Sequence, residues 1–138
     1  MRAVVDVNVI ISALLSRNGS PAEVLRAWQL GQFELVVSPL LLAELERALG
    51  YPKLRRRIPV EDAETVVAWL GRAASLASDP ADPPAVRSVD PGDDYVLALA
   101  ASETAVIVSG DDHLLSLRGS TPVYAPAEFL ELLERTSP

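Results

Sequence analysis

The chain reads as an α/β domain in which a parallel sheet of four to five strands is covered by helices on both faces. Three observations predict this. Short apolar, β-branched runs alternate with helical segments of ten or more residues, an order that demands right-handed crossover connections. The 138 residues are 49% hydrophobic and 22% charged, which suits one core and a single domain spanning 1–138. No stretch approaches the ~18 uninterrupted apolar residues of a membrane span, and the opening Met1-Arg2-Ala3-Val4-Val5-Asp6 lacks the apolar core of a signal peptide. A cytoplasmic protein without a membrane segment is therefore expected.

Each element has a local cause. Arg2-Ala3-Val4-Val5 is a buried strand that stops at Asp6, and Asn8 to Leu15 is a helix. Ser20-Pro21-Ala22-Glu23 carries a serine cap, a first-turn proline and a glutamate three after the cap, so the next helix runs to about Leu30, with Gly31 as its stop. Glu34-Leu35-Val36-Val37 is a second strand. Ser38-Pro39 then caps a helix covering Pro39 to Leu49, ended by Gly50. Ala63, Val66, Val67 and Leu70 recur at helical spacing within Val60 to Ala74. Ser75 to Ser78 is a short strand, and Asp79-Pro80-Ala81-Asp82-Pro83-Pro84 is a loop. Asp94 to Glu103 is an apolar helix, Ala105 to Val108 a strand, Thr121 to Tyr124 an edge strand, and Pro126 opens the terminal helix.

Composition narrows the chemistry. With no cysteine there is no disulfide, thiolate nucleophile or zinc–thiolate site, and the single histidine, His113, leaves carboxylates, hydroxyls and basic groups as the main catalytic resources. The net charge of −7 argues against binding nucleic acid by bulk electrostatics. It is unevenly spread: residues 1–57 hold eight basic and five acidic side chains, and residues 58–138 hold four and fourteen. Lys53, Arg55, Arg56 and Arg57 form a basic run that is either a polyanion contact or a solvated helix end.

Ligands of parallel sheets bind beyond the carboxyl ends of the strands. Asp6 closes the first strand, and Asp111 follows Val108-Ser109-Gly110 after another. Asp93 and Asp94 precede a helix, where either is accounted for as a cap, and Asp111 can cap Leu114-Leu115 in the same way. Asp6 is harder to explain so simply. A carboxylate ending a buried strand is costly to desolvate, and only Arg2 lies near it in sequence. On the third helix, Glu44 and Glu46 flank the stripe of Leu41, Leu42, Leu45, Ala48 and Leu49 at similar angles, so periodicity does not choose between them. Were these acids to converge, each close pair would repel by about 4 kcal/mol at ~4 Å and an effective dielectric near ~20. A hard divalent cation, Mg²⁺ or Mn²⁺, would offset that repulsion.

Four segments in this order resemble the motifs of PIN-domain ribonucleases, specifically the VapC-like toxins of toxin–antitoxin operons. They are Asp6-Val7-Asn8-Val9-Ile10-Ile11-Ser12, Ser38-Pro39-Leu40-Leu41-Leu42-Ala43-Glu44-Leu45, Asp90-Pro91-Gly92-Asp93-Asp94-Tyr95 and Val108-Ser109-Gly110-Asp111-Asp112-His113. The resemblance implies a PIN-like three-layer α/β/α sandwich and a metal-dependent endoribonuclease, with water attacking the RNA phosphodiester in line. It assigns the acidic metal site to Asp6, Glu44, Asp93 and Asp111, preferring Glu44 to Glu46, with Asp94 as a further ligand or a cap. Asn8, Ser12 and Ser109 become supporting residues, and Lys53, Arg55, Arg56 and Arg57 the RNA contacts. Val7 stands where the family often has threonine, and His113 where a further aspartate is common. Histidine at that place is read first as a half-exposed loop residue. A cognate antitoxin and a homodimer are the implied partners.

Two other readings compete. A Mg²⁺-dependent phosphohydrolase of another α/β fold would use Asp6 covalently, but needs a lysine beside the phosphoryl group, and Lys53, the sole lysine, lies in the basic run. A non-catalytic PIN-like module binding RNA or protein would not require all four acids.

Overall fold

The computed structural model describes residues 1–136. Strands β1 (Arg2–Val5), β2 (Glu34–Val37), β3 (Ser75–Leu76), β4 (Val106–Val108) and β5 (Val123–Tyr124) form one parallel sheet in the order β3-β2-β1-β4-β5. Ala3 pairs with Leu35 on one side and with Val106 on the other, so β1 is central. Val4, Val5, Val36, Val37, Ile107 and Val108 are wholly excluded from solvent, as befits strands covered on both faces. The edge strands are short. Pro122, just before β5, accepts from the Ile107 N–H at 2.9 Å and needs no donor of its own, which suits an edge.

Helices cover both faces of the sheet. α1 (Val7–Leu15) and α2 (Ser20–Gln29) join β1 to β2, and α3 (Pro39–Leu49), α4 (Pro52–Arg55) and α5 (Val60–Ala73) join β2 to β3. α6 (Asp94–Ser102) leads into β4, α7 (Asp112–Leu115) into β5, and α8 (Pro126–Thr136) closes the chain by packing on α2. Phe33 and Phe129 meet edge to face at 4.9 Å between ring centres and tie α8 to the start of β2. None of the described helices is long and apolar enough to cross a membrane.

The helix ends test the local reading. Ser38 does cap α3, its hydroxyl accepting from the Leu41 N–H at 3.2 Å. Gly31 stops α2 in the left-handed region, φ 77°, while its N–H bonds Trp28 and the Gln32 N–H reaches back to Ala27. That pair of bonds is a Schellman closure. Ser20 is not the cap of α2; it already lies in the helix, and Gly19, φ 105°, occupies the position before it. Gly50 ends α3 in a right-handed conformation and passes almost directly into α4. The basic run is thus a short, exposed helix and its exit.

Topology places the site. The chain winds outward from β1 through β2 to β3, then returns to lay β4 on the opposite side of β1. Winding reverses between β1 and β4, and loops diverging there leave a crevice at the carboxyl ends of these two strands.

Candidate metal centre

Asp6 and Asp111 leave the two strands flanking that crevice. The Asp6 N–H still pairs with Val108 O at 2.9 Å, and its carbonyl accepts from Val9 and Ile10 as α1 begins. Its side chain is 4% exposed. The compensating partner is a hydroxyl: Ser109, itself fully buried, donates to Asp6 Oδ2 at 2.8 Å and accepts the Asp111 N–H at 3.0 Å. The Ser109 bond and the first amides of α1 favour the carboxylate, but burial outweighs them and, with the charge of Asp111, pushes the Asp6 pKa up.

Asp93 arrives from the third motif. Asp90 Oδ1 accepts the Gly92 N–H at 2.9 Å and closes a single 3₁₀ turn, Pro91–Asp93, that delivers Asp93 to the start of α6. Ser88 Oγ donates to Asp93 Oδ2 at 3.2 Å. Burial and the charges of Asp111, Asp90 and Asp6 nevertheless raise the Asp93 pKa to about 6. Asp6, Asp93 and Asp111 therefore share one electrostatic neighbourhood. Asp111 also performs the capping role, accepting the His113 N–H at 2.8 Å at the start of α7.

The ligand-distance group among the described residues differs from the expected quartet. Carboxylate oxygens of Asp90 and Asp93 and a ring nitrogen of His113 lie within 4.8 Å of one another. His113 is half-exposed, with Nδ1 at 3.8 Å from Asp111 Oδ1. Oxygen donors crowded enough to repel, with one imidazole beside them, fit a divalent cation.

Glu44 stands apart in its bonding. It lies on α3, and both its oxygens are engaged by Arg47, at 2.6 Å to the nearer guanidinium nitrogen. Arg47 is held in turn by the Tyr51 hydroxyl and stacks over the Tyr51 ring. Asp94 is occupied too: Oδ1 accepts the Ser88 N–H at 3.1 Å and Oδ2 lies 3.8 Å from Arg87. Asn8 and Ser12, both exposed on α1, line a cavity of about 300 Å³ with Gly110 and Asp111. In the basic run, Lys53, Arg55 and Arg56 are exposed, while Arg57 reaches Leu15 O at 3.3 Å and satisfies the end of α1.

Sequence reasoning did not single out Asp90, Tyr95 or Asp79. Asp90 had a signal: Asp-Pro-Gly-Asp is a tight turn that brings its first and fourth residues together. Tyr95 had none. Its phenol is pushed up by burial and by the charges of Asp6, Glu44, Asp93 and Asp79. Asp79 caps α3 through Leu40 at 2.9 Å, while its other oxygen is buried without a partner.

An acid-rimmed crevice at the switch point of a parallel sheet is a candidate cation site on an α/β scaffold. The PIN domain family matches residues 2–113, and the chain belongs to that family, whose members are generally metal-dependent nucleases. It is also similar to uncharacterized protein MJ1680 of Methanocaldococcus jannaschii, at 28% identity over 145 residues, covering 98% of this chain and 93% of that protein.

Proposed function

We propose that the chain is a single-domain, divalent-metal-dependent endoribonuclease, using Mg²⁺ or Mn²⁺, and the toxin of a type II toxin–antitoxin pair acting in the cytoplasm. One observation carries the nuclease reading. Asp6, Asp93 and Asp111 share one electrostatic neighbourhood at the carboxyl ends of β1 and β4, and neither Asp6 nor Asp93 is in a salt bridge among the described residues. Carboxylates that raise one another's pKa are costly to retain unless a cation or substrate uses them.

A bound divalent cation supplies the positive charge that polarises water and a phosphate oxygen. The chain's own residues do the positioning. Asp6, Asp93 and Asp111, with Glu44 from α3, are proposed to hold the cation; Ser109 orients Asp6, and Asn8 and Ser12 line the approach. Lys53, Arg55 and Arg56 offer charge to the RNA backbone. The four-motif resemblance to VapC-like toxins supports the antitoxin partner and the homodimer.

The test is cleavage of an end-labelled RNA pool by wild type and Asp93→Asn with Mn²⁺, Mg²⁺ or chelator. The proposal expects metal-dependent cutting that the variant loses; an RNA pool left intact by wild type in both metals would count against it. Light scattering of the protein alone, and after co-expression with its neighbouring gene product, checks the dimer and the antitoxin.

A further inference from the structure

Two acids and the only histidine of the chain come together in a group that includes just one of the four motif acids. Donor atoms of Asp90, Asp93 and His113 lie within 4.8 Å of one another. Two donors each about 2.1 Å from one ion stand at most about 4.2 Å apart, so a small side-chain rotation closes the group on a cation. The donors come from two segments of the chain. Asp90 caps the 3₁₀ turn that ends at Asp93, and Ser88 Oγ holds both, accepting the Asp90 N–H at 3.2 Å and donating to Asp93 Oδ2 at 3.2 Å. His113 arrives from α7, beyond β4, where its N–H is fixed on Asp111 Oδ1 at 2.8 Å.

These side chains keep donor capacity for an ion. Neither Asp90 nor Asp93 is in a salt bridge among the described residues. The ion-pair contact of the His113 ring, 3.8 Å from Nδ1 to Asp111 Oδ1, is beyond hydrogen-bond length. Asp111 spends Oδ1 on a backbone amide, and Asp6 spends Oδ2 on Ser109. The imidazole decides the kind of ion. Carboxylates alone suit Mg²⁺ and Mn²⁺, whereas an imidazole nitrogen suits Zn²⁺ and Ni²⁺, which also stand above Mn²⁺ in the general order of affinity.

We propose that Asp90, Asp93 and His113 form an outer cation site on the rim of the crevice, one that takes a borderline transition ion such as Zn²⁺ or Ni²⁺ in preference to Mg²⁺. Asp90 and His113 are ligands that the four-acid set does not include. The site shares Asp93 with the proposed nuclease centre, but it does not depend on RNA being cut. Three protein donors leave coordination positions open to water or to a phosphate oxygen.

The experiment uses the full chain without an affinity tag, its histidine labelled with ¹⁵N, and Zn²⁺ or Mg²⁺ alone as the probe. With one histidine in the sequence, any imidazole nitrogen that binds an ion belongs to His113. Equimolar Zn²⁺ is expected to move one ring-nitrogen resonance to its metal-bound position, and Mg²⁺ to leave both where they are. By titration calorimetry, His113→Gln and Asp90→Asn should each weaken Zn²⁺ binding at least about tenfold while changing Mg²⁺ binding less than about threefold. The asparagine keeps an oxygen for the Gly92 N–H, and melting curves confirm that both variants are folded. Asp6→Asn, which disables the inner acids, should leave the nitrogen shift in place. No Zn²⁺-dependent shift in wild type, Zn²⁺ affinity unchanged in either variant, or a shift lost in Asp6→Asn each overturn the outer site, even if wild type cuts RNA. Conversely, a His113 shift in a protein that cuts no RNA with any metal keeps the site and rejects the nuclease.

Discussion

The two ends of β1 solve the same electrostatic problem in opposite ways. At its start, Arg2 binds Glu34 at 2.5 Å and Glu103 at 3.1 Å, and also donates to the Glu103 carbonyl. Ser75 adds a bond to Glu34, whose pKa is lowered. Four residues further on, Asp6 meets Asp93 and Asp111 with hydroxyls and amides but no guanidinium, and the pKa values of Asp6 and Asp93 rise. One end is neutralised within the fold. The other is left wanting positive charge, and an unsatisfied cluster on an otherwise consistent scaffold is where the proposed site lies.

Adding or removing charge at the acid end has the largest expected effect. Asp6→Asn and Asp93→Asn should each lower metal-dependent RNA cleavage at least about a hundredfold, measured by single-turnover kinetics. Asp93→Asn should at the same time melt higher than wild type without metal, since it removes a carboxylate whose ionisation the fold disfavours. A melting temperature lowered by this substitution would contradict the frustrated-site account.

Next in size is the response to metal. At about 100 times its dissociation constant, Mn²⁺ should raise the melting temperature by roughly 5–10 °C at pH 7. The pH dependence has a definite sign. The folded-state pKa of Asp93, about 6, exceeds that of a free aspartate, so the native state binds more protons between about pH 4 and 6. Stability from this group is present at low pH and is lost as pH rises through 6. Buried Asp6, also raised, acts in the same direction. Metal-free protein should therefore lose stability from Asp93 between about pH 4 and 6, with Asp6 acting in the same direction, and Mn²⁺ should restore more at pH 7 than at pH 5, as calorimetry from pH 4 to 7 would show.

Arg47 offers a sharper contrast, because it treats Glu44 as Arg2 treats Glu34. Arg47→Ala frees the Glu44 carboxylate, and divalent-metal affinity measured by titration calorimetry should rise a few-fold. No change would place Glu44 with the neutralised acids rather than the working ones. A smaller effect belongs to the basic run. Reversing Lys53, Arg55 and Arg56 together should weaken RNA binding and flatten its salt dependence while leaving metal binding intact. Arg2→Ala should touch neither activity nor metal affinity and should lower the melting temperature by only a few degrees.

Much of this was legible locally. The β-branched runs became strands, the three-to-four-residue spacing became helices, and the chemistry at Ser38 and Gly31 ended helices as read, because caps and periodicity depend on neighbours in sequence. Ser20 misled for the same local reason: Gly19, in a backbone conformation closed to most residues, moved the helix start back by one. The acidic motifs stood out by position and by resemblance, yet their grouping did not. Asp90 and His113, rather than Asp6, Glu44 or Asp111, share ligand distance with Asp93, to which a tight turn and a short helix bring them, while Glu44 is paired with Arg47.

By itself, then, the sequence determined the alternating elements, the absence of thiol chemistry and the acids at the strand ends. Only the tertiary structure decided that β4 lies beside β1, bringing the Ser109 hydroxyl to Asp6 across 103 residues of chain. It also brought Tyr95 to the proline-rich loop 80–84. The physical reason is that propensity and patterning act over a few residues, whereas the order in which strands pair is settled by burying the whole sheet at once.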